Sequence, residues 1–114
     1  MKRIYISGPM TGLPQDNFPA FHAEAARLRG LGYDVISPAE LNPGSNKTWR
    51  ECLRADLQAL LICDTIAMLE GWQDSEGAHL EMNVAHRVGI KIVLAKEILS
   101  PLTLAGEGQG ERAA

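Results

Sequence analysis

Four short β-rich runs, spaced by stretches of helical length and period, constrain this chain more than anything else in it. Arg3-Ile4-Tyr5-Ile6-Ser7 opens the series and is stopped by Gly8-Pro9. Tyr33-Asp34-Val35-Ile36, closed by Ser37-Pro38, comes next, then Thr65-Ile66-Ala67-Met68-Leu69 and Ile90-Lys91-Ile92-Val93-Leu94. After the first run, Pro19 suits a first helical turn, and Phe21, Ala25 and Leu28 keep helical spacing until Gly30 and Gly32. Thr48 caps a second helix over 49–62, with Glu51 as its capping-box partner, and Ser75 caps a third over 75–88. Residues 8–17, 38–47 and 71–74 read as loops. Strands separated by helices of roughly a dozen residues form right-handed βαβ units around a parallel sheet. The expected fold is α/β, a flavodoxin- or Rossmann-like three-layer sandwich with a parallel sheet of four or five strands. Such sheets bind ligands beyond the carboxyl ends of their strands, where Ser7-Gly8, Ser37, Gly71-Trp72 and Ala95 project.

A chain of 114 residues supports one core and not two. Residues 1–98 are expected to form that domain, and 99–114, ending Gly-Glu-Gly-Gln-Gly-Glu-Arg-Ala-Ala, a largely disordered tail. A net charge of −3, with no basic run longer than Lys2-Arg3, argues against binding polymeric nucleic acid. No stretch approaches the length of a membrane span and no signal peptide is legible, so no membrane partner is expected. Cys52 and Cys63 form no CxxC pair, which suits a reduced, cytoplasmic setting. Neither GxGxxG nor a Walker lysine is present, and His79 and His86, seven apart on one helix face, lack a third ligand. Neither a cofactor nor a metal is expected.

Two carboxylates sit where helical periodicity calls for an apolar side chain. At about 100° per residue, Gly77, Ala78, Leu80, Met82, Val84, Ala85 and Val88 share one arc of the helix 75–88, and Glu81 falls in the middle of it. In the helix 49–62, Trp49, Cys52, Leu53, Leu57, Ala59, Leu60 and Leu61 form the arc that contains Asp56. A buried unpaired carboxylate is costly or stays protonated, so two on adjacent helices read as a site. That second arc spans about 200°, wider than one sheet face needs, and implies a homodimer or higher homo-oligomer.

Taken in order, Tyr5-Ile6-Ser7-Gly8-Pro9-Met10-Thr11-Gly12, Asp56-Leu57, Cys63-Asp64 and Ser75-Glu76-Gly77-Ala78-His79-Leu80-Glu81 resemble the nucleoside 2-deoxyribosyltransferase superfamily. Within it the chain looks closest to a small branch often encoded by phages and prophages, related to the 2′-deoxynucleoside 5′-monophosphate N-glycosidases. The likeness covers residues 3–94. It implies that Glu81 is the nucleophile, Asp56 the carboxylate that handles the leaving base, and Tyr5 an active-site tyrosine. It further implies that Ser75 and Gly77 receive the 5′ end of the sugar. Ser7, Gly8 and Gly12, in the loop after the first strand, and Trp72 complete the expected substrate-binding set.

Plainer roles compete with these. Glu81 could be satisfied by backbone amides or an arginine, and Asp56 could pair with Arg50 or Arg87. Tyr5 could be core, Gly8 a turn glycine and Ser75 only a helix cap. Trp72 could stack on a base or cover the edge of the core, and Asp64 could stabilise the turn into the third strand. The leading reading is an enzyme that cleaves or transfers the N-glycosidic bond of a 2′-deoxyribonucleoside or its 5′-monophosphate through a covalent deoxyribosyl intermediate. A non-catalytic nucleotide-binding or sensing module on the same fold is the alternative, and a structural domain acting through its helical faces a third. The helix N-terminus at Ser75 favours a 5′-monophosphate, although no Lys or Arg lies between Asp56 and His86.

Overall fold

Alternation along the first strand lays out the architecture. The computed structural model describes residues 2–44 and 46–101. In it β1 (Arg3–Ser7) sends Ile4 and Ile6 to one face of the sheet and Tyr5 and Ser7 to the other, the two-residue period of extended chain. Buried on both faces, β1 is central in the order β2-β1-β3-β4, with β2 at Asp34–Ile36, β3 at Thr65–Met68 and β4 at Lys91–Leu94. All pairings are parallel; Tyr5 faces Ile36 on one side and Ile66 on the other, and Ser7 faces Met68.

Helices cover both faces. Phe21, Ala25 and Leu28 of α1 (Phe18–Gly30) pack on Ile4, Ile6, Val35 and Ala67. A four-residue helix, α2 (Pro38–Leu41), follows β2 and leads to α3 (Trp49–Leu60) and, beyond β3, α4 (Glu76–Val88). On the second face Leu60, Ala78 and Ala85 pack on Tyr5, Ile66 and Met68. The winding reverses between β1 and β3: α1 returns to β2 on one side, and α3 crosses to β3 on the other. The crevice beyond these two strand ends is where open α/β sheets bind their ligands.

Most expected boundaries stand within one or two residues, and the differences have local causes. Residues 38–41 are helical, because Ser37 Oγ accepts from the Ala39 amide at 3.3 Å and Pro38 fills the first helical position. α3 ends at Leu60 and not at 62: the Cys63 amide turns back to the Leu60 carbonyl at 2.9 Å, which leaves Leu61 and Ile62 exposed. Thr48 and Glu51 form the expected capping box, and Asp64 accepts from the Arg3 amide at 2.8 Å at the entry to β3. The loop after β1 closes in a 3-10 turn in which Gln15, Asp16 and Asn17 all hold positive φ; Asn17 tethers it by donating to the Pro9 carbonyl at 2.9 Å. No helix among the described residues is long and apolar enough to cross a membrane. Of the expected tail, 102–114 lie outside the described residues.

Candidate active site

Glu81 lies on the inward face of α4, between Ala78 and Ala85 one turn to either side, and only 5% of it is exposed. Among the described residues neither a backbone amide nor an arginine bonds to it. Tyr5 Oη donates to Oε2 at 2.7 Å and Ser7 Oγ donates to Oε1 at 2.6 Å. Both donors come from β1, two residues apart and therefore on one face. Each carboxylate oxygen accepts one hydroxyl and keeps a second lone pair for another partner. Burial pushes the Glu81 carboxyl up to about 7, the two hydroxyls pull it down, and the negative charge of Asp56 raises it again. The Tyr5 phenol is itself held well above its usual range by burial and by Glu81, so it stays a donor.

Asp56 is 9% exposed on α3 and does not pair with Arg50 or Arg87; the amide of Asn42 donates to its Oδ1 at 2.9 Å. Burial lifts its carboxyl to about 6, against the hydrogen bond from Asn42 and the charge of Lys47. Both carboxylates line one cavity of about 590 Å³, a volume suited to a small molecule. Gly8, Pro9, Met10 and Thr11 form one wall, the Trp49, Cys52, Leu53 and Asp56 face of α3 a second, and Ser75, Glu76, Gly77 and Glu81 of α4 a third. Tyr5 and Ser7 lie behind Glu81 as its support.

Gly8 carries a packing constraint besides its place in the wall, since a Cβ there would lie 2.8 Å from Leu69 Cβ. Gly77 lines the cavity, and a Cβ on it would meet no protein atom within 4 Å. Ser75 caps α4, accepting from the Ala78 amide at 3.1 Å, and also reaches the cavity. Gly12 and Trp72 are not among the lining residues. Gly12 turns the loop at φ 86°, and Trp72 packs under α4 with its ring centroid 5.1 Å from that of His79. The tryptophan on the cavity is Trp49, 49% exposed and two turns ahead of Asp56 on the same face of α3. The arc of α3 placed these two together in the sequence, yet the loop position of Trp72 suggested stacking more readily. Asn42 left no comparable signal. Among the described residues no three His, Cys, Asp or Glu side chains gather as a metal-holding group.

Solved structures share this arrangement of a parallel sheet and covering helices. A solved 2-deoxyribosyltransferase from the psychrotolerant bacterium Bacillus psychrosaccharolyticus, described as a biocatalyst for the synthesis of antiviral and antitumoral nucleosides, matches with a TM-score of 0.65 at 19% identity, over 81% of this chain and 70% of that one. A conserved protein from Enterococcus faecalis V583 matches with a TM-score of 0.67 at 24% identity, over 82% of this chain and 62% of that one, so this chain spans less than two thirds of it. These likenesses define an α/β fold of the 2-deoxyribosyltransferase kind. No curated protein matches the sequence. The model of the family described as domain of unknown function DUF4406 matches residues 2–94, and the chain belongs to that family.

Proposed function

We propose that this protein cleaves the N-glycosidic bond of a 2′-deoxyribonucleoside or its 5′-monophosphate through a covalent intermediate on Glu81. The observation that carries the proposal is the buried Glu81 carboxyl, held by Tyr5 and Ser7 on a cavity it shares with Asp56. A Glu81 oxygen attacks C1′, the C1′–N bond breaks with its electron pair going to the base, and the protonated carboxyl of Asp56 gives its proton to that nitrogen. Water then attacks C1′, giving its proton to the Asp56 carboxylate as the bond from C1′ to the Glu81 oxygen breaks and frees the Glu81 carboxylate, which makes a hydrolase. A second base in place of water, giving up its N–H proton in the same way, makes a transferase. The exposed ring of Trp49, at the Asp56 end of the cavity, offers the base a stacking face.

The 5′ end is assigned to Ser75 and Gly77 at the start of α4, where free amides favour an anion. Asp74 and Glu76 flank the same opening and oppose a dianion. The ratio of kcat/KM for a monophosphate and its nucleoside, in wild type and Ser75→Ala, reads which effect prevails. Two-fold pairing would cover Leu61, Ile62 and Val88, exposed at the C-terminal ends of α3 and α4, and light scattering tests it. The first experiment is incubation with a panel of deoxynucleosides and 5′-monophosphates, followed by chromatography for free base. Tight binding with no base released would favour the sensing module instead.

A further inference from the structure

Asn42, just beyond the C-terminal end of α2, spends its whole side-chain amide on neighbours. Its Nδ2 donates to Asp56 Oδ1 at 2.9 Å and to the Pro38 carbonyl at 3.3 Å, and its Oδ1 accepts from Lys47 Nζ at 3.1 Å. Turning the amide over would set its oxygen against the Asp56 carboxyl and its NH2 group against the Lys47 ammonium, so charge fixes its orientation. The element that carries it is anchored as well. Ser37 caps α2, and Arg29 of α1 grips both oxygens of Glu40 at 2.7 Å each.

We infer that Asn42, backed by Lys47, is a positioning residue that occupies Oδ1 of Asp56 and assigns the transferable proton to Oδ2. The inference rests on the proposed part of Asp56 in base departure. A carboxyl oxygen that accepts an N–H is the poorer seat for a proton, and an O–H on Oδ1 would point at a donor. Asn42 orients the carboxyl without a full charge. A cation in its place would hold Asp56 ionised, whereas a neutral amide polarised at one remove by Lys47 leaves the proton available. As the C1′–N electron pair passes to the base, that proton moves from Oδ2 to the leaving nitrogen and Oδ1 stays hydrogen-bonded. The Asp56 charge is felt in turn by Glu81 of α4 and Tyr5 of β1, both of which it raises.

Two readouts on Asn42→Ala and Lys47→Met test this. In carboxyl-detected NMR, loss of the Asn42 hydrogen bond moves the Asp56 titration to higher pH by about one unit. Lys47→Met moves it less, in the same direction. In kinetics, Asn42→Ala lowers kcat about tenfold for bases that leave poorly and little for activated ones, with KM held within about twofold. Equal losses across the leaving-group series, with an unmoved Asp56 titration, overturn the inference. If wild type releases base from no substrate, the glycosidic reading fails while the titration still decides the role of Asn42. If Asn42→Ala does not fold, exposed Lys47 carries the test, and an Asp56 titration unmoved in Lys47→Met overturns the relay.

Discussion

The Tyr5 hydroxyl stands 2.7 Å from Glu81 Oε2, joining residues 76 apart in sequence across the buried interface of β1 and α4. A phenol held protonated beside a carboxyl pushed up to about 7 fixes the direction of the hydrogen bond and the orientation of the acid. Tyr5→Phe removes one of the two hydroxyls that favour the ionised form, so Glu81 ionises at still higher pH. A hydrogen bond to a charged group is strong enough that kcat should fall about tenfold or more, most at the acid end of the profile. Initial rates of base release between pH 5 and 9 check this.

Base release requires one carboxyl of the pair ionised and the other protonated. Burial places Asp56 at about 6, and burial with the Asp56 charge places Glu81 at about 7. The productive form, Glu81 ionised and Asp56 protonated, is therefore the minor singly protonated one, and the pH profile is a bell with its maximum between those values. Asp56→Asn removes the group that must keep its proton, so the alkaline limb is lost and the profile becomes a single rise set by Glu81. The same variant loses most rate on bases that leave poorly.

Stability also depends on Glu81. Its ordinary value is 4.5 and its folded value about 7, so between them the native chain holds a proton that the unfolded chain has released. Stability therefore falls as pH rises through that window, and the cost of the buried charge is complete above it. Glu81→Gln should melt higher than wild type at pH 8, with the gap closing at pH 5. Calorimetry at the two pH values reads it; an equal gap at both would mean that burial does not raise this carboxyl.

The two tryptophans separate binding from packing. Trp49→Ala, on the cavity, should raise KM about tenfold if its ring stacks on the base. Trp72→Ala removes packing beneath α4 and should lower Tm while leaving the KM of the folded protein unchanged. Thermal melts and saturation curves on both variants test the pair together.

How far the sequence spoke for the structure follows from which signals are local. Strand runs stopped by Gly-Pro or Ser-Pro, and the caps Thr48 and Ser75, are chemistry within a few residues, and the elements they bound formed close to where they were expected. Glu81 and Asp56 were legible because a charge inside an apolar arc conflicts with helical burial, and both are buried on one cavity. Of their partners, Tyr5 was legible as an active-site tyrosine through the resemblance, whereas Ser7 and Asn42 were not legible as partners. That Tyr5 and Ser7 share a face follows from the strand period, but that this face meets α4 is a property of the crossover. Asn42 reaches Asp56 only because Ser37-Pro38 starts a short helix inside what composition alone makes a loop. Trp72 carried two readings, a loop aromatic beside a cap that invites a ligand role and a cover for the edge of the core, and the chain packs it against the core beneath α4.

The central claim is that Glu81 bonds to the sugar. A 2′-fluorinated deoxynucleoside slows turnover of such an intermediate, so the protein mixed with one, digested and analysed by mass spectrometry measures the claim directly. The account predicts a fluorodeoxyribosyl adduct on the peptide that contains Glu81, with free base released in equal amount and no adduct in Glu81→Gln. Base released by a folded Glu81→Gln protein at the wild-type rate, or a sugar adduct on another residue, would contradict it.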